Sequence, residues 1–273
     1  MFKLLLNKIN PRFRNDDVTA YAAQISFYLL LSLFPLMILL AAVFVRTKLI
    51  NLDQFFQMLR SSNMFPDIAI TVVESTLKEL EIPTRSISFY IIIVIWSASR
   101  GIRAIMNGIH LAFRTREAHN LLLRFFLSFF YTIFFVMLLV IFVVFVLFGD
   151  SLFSWFSSVF KLLFLVSGLV RLIRYLIPLG FMLILYTLLY KVIPSKNLHL
   201  SDVLPGSLFA SLGSFLISHL FSLYTSHFAN YSALYGSIAG IIVTCTWMYL
   251  FSLMMVIGAE INACIYELHH PFP

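Results

Sequence analysis

Long apolar blocks alternate with short polar segments along the whole chain. Most of the blocks run to about 20 residues or more, which is the length that a helix needs to cross roughly 30 Å of hydrocarbon. A transmembrane barrel would instead show segments of about 10 residues in which apolar and polar positions alternate. The pattern therefore predicts an all-α integral membrane protein with about six transmembrane helices and additional amphipathic helices on the extracellular side.

The predicted membrane domain is single and covers residues 1–273. Pro35 should kink the first span. Ser201 is the predicted N-cap of the fifth span, with Pro205 in its first turn. The predicted spans are about 22–45, 87–109, 125–148, 174–193, 203–224 and 236–262.

Two segments between these spans have a different pattern. Residues 49–84 are predicted to form extracellular amphipathic helices, because the five acidic and five basic residues from Arg46 through Arg85 cancel in charge. Residues 151–171 are apolar but are interrupted by Lys161 and by a Ser-Gly pair. This second segment is predicted to rest on the membrane as an interfacial helix, with a seventh span as the alternative.

Composition supports the membrane assignment. The chain is 61% hydrophobic and only 11% charged, with a mean hydropathy of +0.95, whereas soluble domains carry roughly 25% charged residues. The net charge of +7 points to the anionic cytoplasmic leaflet, not to nucleic acid, as the partner of the basic residues. Cys245 and Cys264 are interpreted as small buried residues and not as a disulfide or a metal site.

Basic residues concentrate in three segments that share one side of a six-span arrangement. The positive-inside rule then places both termini in the cytoplasm, although Arg171 and Arg174 would lie outside. The basic residues are Lys3, Lys8, Arg12 and Arg14 in the first segment, Arg100, Arg103, Arg114, Arg116 and Arg124 in the second, and Lys191 and Lys196 in the third.

Small residues predict how the last two spans pack. Helices in lipid associate through close contact at small side chains, and such residues form stripes on both spans. A tight antiparallel hairpin is therefore expected. The packing residues are Ser207, Ser211 and Ser214 on the fifth span, and Gly236, Gly240 and Gly258 on the sixth.

Polar residues inside predicted spans are candidates for function because burying them in lipid is costly. Glu260 ends a run of 57 positions (203–259) without a charged side chain, and Arg100 and Arg103 are its expected partners. Three interpretations stay open: an ion pair between helix ends, the charged lining of a cavity that opens inward, or a solvated carboxylate. The candidate cluster toward the cytoplasmic side is Gln24, Ser99, Arg100, Arg103, Asp202, Glu260 and Asn262.

The sequence carries no signature of an enzyme. The patterns GxxxxGK[ST], HExxH, GxSxG and CxxC do not occur in it. The spacing of serine, histidine and acidic residues does not assemble a nucleophile with its acid and base. We therefore predict no catalytic, cofactor-binding or metal-binding residue, no cofactor and no enzymatic activity.

Four stretches together resemble the YihY/BrkB family of bacterial inner-membrane proteins. They are "AYAAQISFYLLLSLFPLMIL" (20–39), "WSASRGIRAIMNGIHLAFRTRE" (96–117), "DVLPGSLFAS" (202–211) and "LYGSIAGIIVTCTWMYLFSLMMVIGAEINA" (234–263). The resemblance implies a six-helix protein of the bacterial plasma membrane. The family has been labelled a virulence factor and mislabelled a ribonuclease, and some members are linked to movement of lipid-like envelope precursors.

No chemical role comes with the positions that match the family. They are Tyr21, Pro35, Trp96, Ser99, Arg100, Gly101, Pro205, Gly206, Tyr235, Gly236, Trp247, Gly258, Glu260 and Asn262.

The leading functional hypothesis is a transporter or flippase for a lipid or amphipathic envelope molecule, without an ATP-binding motif. The alternative is a scaffold whose extracellular segment binds an envelope protein, and a membrane-embedded hydrolase or ribonuclease has the least support. Expected partners are membrane lipids, a lipid-like substrate, and an envelope protein or a second copy of the chain. Nucleic acid is not expected.

Overall fold

The computed structural model describes the chain in several stretches separated by gaps. The described residues are 12, 16–47, 87–115, 166–194, 196–227 and 237–270, with single positions at 53, 56, 57, 60, 67, 70, 71, 74, 75, 129, 130, 133 and 137.

Within these stretches the protein is all-helical and has no strand, which confirms the predicted all-α class. The five helices are α1 (Val18–Thr47), α2 (Ile87–Ala112), α3 (Val166–Val192), α4 (Leu200–His227) and α5 (Ser237–His269).

Two of the helices are long and apolar enough to cross a membrane, over Leu200–Tyr224 and Gly240–His269. Shorter apolar stretches cover Val18–Ser32 and Pro178–Val192. Only described residues enter this assessment, so the count of six spans stays a prediction.

The two predicted non-spanning segments and the third span fall largely outside the described residues. The nine described positions of 49–84 and the four of 125–148 are helical. Of the predicted interfacial segment 151–171, residues 166–171 belong to α3 and continue into the predicted fourth span without a break. Residues 151–165 lie outside the described part.

One end of the bundle, here called the charged end, brings together segments that are distant along the chain. Arg12 donates to the carbonyl of Ala112 at the end of α2, at 3.3 Å. Lys196, between α3 and α4, donates to the carbonyl of Phe113 at 2.9 Å. The beginnings of α1 and α4 and the ends of α2, α3 and α5 therefore meet here.

The core lies between α1, α2 and α5 and extends to α3 and α4. Facing outward, α4 exposes a row of leucines spaced four residues apart, the kind of surface that acyl chains cover. The row comprises Leu204, Leu208, Leu212, Leu216 and Leu220.

Two helix ends at the charged end have specific caps. The N–H of His199 donates to Asp202 at 3.0 Å, which is half of a capping box for a helix that begins at Leu200. The predicted N-cap, Ser201, is therefore wrong, because α4 begins one residue before it and His199 takes the cap position.

The end of α2 forms a Schellman motif. The N–H of Thr115 donates to the carbonyl of His110 at 3.0 Å, and the N–H of Arg114 donates to that of Leu111 at 2.9 Å. Arg114 has φ 50°, a conformation that glycine normally adopts at this position.

Helices α4 and α5 approach each other closely at Gly206 and Gly258. A Cβ at Gly206 would overlap the carbonyl oxygen of Gly258, and one at Gly258 would overlap the hydroxyl of Tyr190. The side-chain amide of Asn262 stabilises this contact with two hydrogen bonds to the backbone of α4. It accepts from the N–H of Gly206 at 2.7 Å and donates to the carbonyl of Val203 at 2.8 Å.

The predicted serine stripe is buried in α4. Ser207 and Ser211 donate to carbonyls of their own helix, whereas Ser214 bonds the hydroxyl of Tyr186 on α3 at 2.8 Å. Gly240 is buried on α5, and Gly236 lies outside the described residues.

Candidate functional site

The structure does not bring the residues of the predicted polar cluster together in one site. Gln24, Arg100 and Arg103 line a cavity between α1 and α2. Glu260 belongs to a separate group of buried ion pairs. Asp202 and Asn262 hold α4 and α5 together, and Ser99 is buried within α2.

The cavity has a volume of about 400 Å³. Helical spacing explains its lining: Arg100, Arg103 and Asn107 are three and four residues apart on α2, and Gln24 and Tyr28 are four apart on α1. Ala104 completes the wall, and its methyl group leaves room between the longer side chains. Two amides, a phenol and two guanidinium groups therefore converge on one space.

An exposed apolar surface adjoins the cavity. Trp96 is 52% exposed and Phe27 is 61% exposed. The guanidinium carbon of Arg100 lies 4.6 Å from the centre of the Trp96 ring, and Phe27 packs edge-on against Tyr28. A molecule with a polar part and an apolar part can contact both surfaces at once.

The second group centres on Arg12, which is 5% exposed and lies beside Glu260, 2% exposed. Arg12 Nη1 donates to Glu260 Oε2 at 3.3 Å, and Nη2 donates to Glu267 Oε1. Burial alone would lower the pKa of Arg12, but the surrounding side chains, among them the carboxylates of Glu267 and Glu260, outweigh burial and raise it. The guanidinium is therefore held in its charged form.

The ion-pair partner expected for Glu260 was wrong. Glu260 pairs with Arg12, whereas Arg100 stacks on Trp96 and lines the cavity with Arg103. The reason is position on α2: both arginines face α1 at the cavity, while the carboxylate lies beside the end of that helix.

Sequence reasoning also missed Glu267 and His269. Glu260 and Glu267 are seven residues apart, two turns of one helix face, and this spacing was the available signal for a shared basic partner. His269 Nδ1 lies 3.0 Å from Asp202 Oδ1 and ties the end of α5 to the start of α4.

Two buried carboxylate oxygens have no hydrogen-bond partner among the described residues, Oε1 of Glu260 and Oδ2 of Asp16. Arg114 lies 3.8 Å from that oxygen of Asp16, so the second carboxylate has a cation nearby. In the described part of the chain no cluster of three or more His, Cys, Asp or Glu side chains could hold a metal ion.

A family model for "Virulence factor BrkB" matches residues 10–271 of the chain. The chain belongs to the BrkB family. The match covers the Arg12 group and the cavity, and it confirms the resemblance seen in the sequence.

Among relatives of this BrkB-family protein is the ribonuclease-like protein YfkH of Bacillus subtilis, 32% identical over 265 residues, which are 96% of this chain and 95% of the relative. A UPF0761 membrane protein of Pseudoalteromonas translucida is 36% identical over 90 residues, which are 33% of this chain and 30% of the relative. Another UPF0761 membrane protein, from Idiomarina loihiensis, is 31% identical over 110 residues, which are 40% of this chain and 39% of the relative. No solved structure matches. The chain is thus a bacterial membrane protein.

Proposed function

We propose that this protein transports or flips a lipid or amphipathic envelope molecule in the plasma membrane, with both termini in the cytoplasm. The observation that carries the proposal is the polar cavity between α1 and α2, directly beside the exposed rings of Trp96 and Phe27. Such a site offers hydrogen bonds to a head group and apolar contact to a chain.

The depth of the cavity suits a molecule that enters from one leaflet. Gln24 lies six residues after the start of α1, and Asn107 lies five before the end of α2. At a rise of 1.5 Å per residue these positions are roughly 9 Å and 8 Å from the charged end, and Arg100 is roughly 18 Å from it. The lining therefore extends from the head-group region into the hydrocarbon.

Helix directions support the six-span arrangement in the proposal. Because α2 ends at the charged end and α3 ends there too, Thr115 and Val166 lie at opposite ends of the bundle. This arrangement supports the proposal of a third span between them. The basic residues of the charged end favour the cytoplasmic side.

Reconstitution into vesicles tests the proposal. Purified protein should speed transbilayer movement of fluorescent lipid, measured by reduction of the outward-facing label with dithionite. Replacing polar lining by apolar side chains, Gln24→Leu with Asn107→Leu, should slow the movement on the order of tenfold, because each lost hydrogen bond is worth about 1 kcal/mol. Thr246→Leu, on an exposed position of α5, is the matched control and should change nothing.

The proposal is refuted if the wild-type protein moves no lipid in vesicles and a deletion strain has an unchanged lipid distribution.

A scaffold predicts a different result. The variant that carries both Gln24→Leu and Asn107→Leu would then keep the activity of the wild-type protein in cells. One observation favours keeping that second candidate: Arg60 joins Glu74 at 2.6 Å and lies 3.9 Å from Asp67, so the extracellular segment has folded contacts of its own. Crosslinking from this segment that captures no reproducible protein would exclude the scaffold.

A further inference from the structure

We infer that Glu260 is a proton-binding site: its oxygen Oε1 takes up a proton, while Arg12 keeps a carboxylate partner in Glu267. The inference goes beyond the proposed function, because it assigns a second site at the charged end, apart from the cavity, and names the proton as its ligand.

Oε1 of Glu260 is buried without a hydrogen-bond donor from any described residue. The side chain is only 2% exposed, so water cannot replace the missing donor. A buried charged oxygen without a partner carries its full desolvation cost. A proton on Oε1 removes the charge and turns this oxygen into a donor.

The contact between Arg12 and Glu260 leaves room for such a change. Arg12 Nη1 lies 3.3 Å from Glu260 Oε2 and also 3.3 Å from the carbonyl oxygen of Ala112, so one nitrogen serves two acceptors. Hydrogen bonds between charged groups are typically about 2.7–2.9 Å long, and the strongest pairs of arginine and carboxylate use both carboxylate oxygens. The contact with Glu260 is longer and uses one oxygen, so it holds the charged form less firmly than a bidentate pair.

Proton uptake by Glu260 leaves no buried cation alone. Arg12 Nη2 donates to Glu267 Oε1, and this bond does not involve Glu260. When Glu260 is neutral, Arg12 keeps Glu267 and the carbonyl of Ala112. The large cost of an uncompensated buried charge is therefore avoided in both protonation states.

Asp16 adds a negative charge beside this pair. Its N–H donates to the carbonyl of Arg12 at 2.8 Å, and residues four positions apart share a helix face. The charge of Asp16 acts on Glu260, and two neighbouring carboxylates favour a proton on one of them. Arg114, 3.8 Å from Asp16 Oδ2, favours the charged form of Asp16. We therefore place the proton on Glu260 and treat Asp16 as a positioning residue.

Other titratable and charged groups at this end come from every helix that meets there. Lys196 acts on Arg12 and Glu267, and His269 pairs with Asp202. Histidines titrate over the same pH range as the proposed site, so the test needs a signal that only a protonated carboxyl group gives. The groups are Arg114 and His110 at the end of α2, Lys196 and Asp202 at the start of α4, and Cys264, Glu267 and His269 on α5.

A proton suits this position better than a metal ion. Calcium and magnesium ions take about six or more oxygen ligands, whereas a proton needs one oxygen. The guanidinium group of Arg12 beside Glu260 would also repel a metal cation.

The site is connected to the cavity through α1. This helix begins at Val18, six residues after Arg12, and carries Gln24 and Tyr28 of the cavity wall. A neutral Glu260 no longer attracts Arg12 by its charge, so one of the two ionic links from Arg12 to α5 is lost. Proton uptake thus weakens the attachment of α5 to the segment that leads into the cavity wall.

Difference infrared spectroscopy of the full-length protein tests the inference. The protein is held in dodecyl maltoside micelles, which contain no carbonyl group, and spectra are compared between about pH 8 and about pH 5.5. Carboxylates in water titrate below this range, near about pH 4. We expect the wild type to gain one C=O stretching band of a protonated carboxylic acid, and Glu260→Gln should lose this band.

The neighbours of Glu260 should change the band in two different ways. Asp16→Asn should shift its frequency, because the negative charge beside the acid is gone. Glu267→Gln should reduce its intensity at about pH 5.5, because Arg12 then has Glu260 as its remaining carboxylate.

Two variants act as matched controls and should leave the band unchanged. Asp202→Asn alters another buried carboxylate, but both oxygens of Asp202 are bonded, one to the N–H of His199 and one to His269. Asp17→Asn alters the exposed neighbour of Asp16, at a φ of 44° that asparagine tolerates. Equal thermal midpoints show that the variants are folded.

The inference is overturned if the wild type gains no acid band, or if a folded Glu260→Gln protein keeps it. An Asp16→Asn protein whose band has the wild-type frequency would overturn the role given to Asp16. The proposed function is tested separately: an acid band from Glu260 without lipid movement in vesicles refutes that function alone. Lipid movement without the acid band refutes the proton site alone.

Discussion

At the scale of single residues, Arg12 decides how the charged end is held together. Its guanidinium bonds Glu260, Glu267 and the carbonyl of Ala112. These three groups belong to helices that the chain forms about 100 and 250 residues later, so one side chain connects the first described residue to α2 and α5.

Removing this side chain should be costly. Arg12→Ala leaves Glu260 buried without its cation, and breaking a buried pair in this way typically costs about 3–5 kcal/mol. The measurement is unfolding in mixed micelles, followed by circular dichroism at increasing denaturing detergent. Arg12→Gln combined with Glu260→Gln should recover part of the loss, because the buried charge of Glu260 is then removed together with its cation, and the Glu267 carboxylate that also loses Arg12 is more exposed to solvent.

Arg60→Ala is the control for this prediction. It breaks pairs in which Asp67 is well exposed, and exposed pairs contribute about 0–1 kcal/mol. Equal losses for Arg12→Ala and Arg60→Ala would contradict the structural role given to Arg12.

The sequence predicted part of this residue-scale arrangement. It identified Glu260 as a carboxylate needing a cation on the cytoplasmic side, because an uncharged run of 57 positions precedes it. It did not identify Arg12, because this residue precedes α1 and lies outside any periodic pattern. Only the tertiary path of the chain brings the two together across 248 positions.

At the scale of helices, contact between α4 and α5 depends on the absence of side chains at two glycines. The predicted hairpin used Gly258 together with Gly236 and Gly240. The structure shows a close contact between Gly258 and Gly206, which a search for GxxxG within one helix cannot find. Asn262, predicted as part of a polar cluster, bonds the backbone of α4 at this contact.

Gly206→Ala should therefore destabilise the protein by several kcal/mol, since its methyl group would overlap the carbonyl oxygen of Gly258 and the side-chain amide of Asn262 and force the helices apart. Gly180→Ala is the matched control. Nothing lies within 4 Å of a Cβ there, and replacing a glycine inside a helix should stabilise it by about 0.5–1 kcal/mol. Thermal unfolding in detergent compares the two variants, and a Gly206→Ala protein as stable as wild type would contradict the packing.

Helix positions were better predicted than helix ends. The apolar blocks placed α1, α2, α4 and α5 within a few residues of their bounds, except that α5 continues to His269. The end of α5 was missed because Glu267 and His269 look like a solvated tail, although both make contacts at the charged end. Ser201 failed as a cap because the helix begins at Leu200 and the neighbouring Asp202, in its first turn, accepts a hydrogen bond from the N–H of His199.

At the scale of the molecule, the proposed topology puts the charged end in the cytoplasm and residues 53–75 outside. Cysteines introduced at Thr115 and at Gln57 should therefore react from opposite sides of the membrane, in a background of Cys245→Ala and Cys264→Ala. A membrane-impermeant maleimide applied to whole cells should label Gln57→Cys and not Thr115→Cys, and opening the cells should expose the second. Labelling of both positions in intact cells would contradict six spans with internal termini.

This sidedness follows from the sequence alone, where basic residues are counted loop by loop, and it stays a prediction. The sequence predicted a polar cluster or cavity that included Gln24, Arg100 and Arg103, but it did not identify Asn107 and it did not separate these residues from Glu260. Their spacing on each helix shows which residues share a face, but not that the two faces meet.

The bonds of Arg12 also imply an order of events during synthesis. The chain grows from its N-terminus at roughly 5–20 residues per second, so Arg12 leaves the ribosome roughly 12–50 s before Glu260, which is 248 positions later. During that interval the cation has neither of its carboxylates. The earliest charge of the described chain therefore gains its acidic partners only after the residues of α5 have been made.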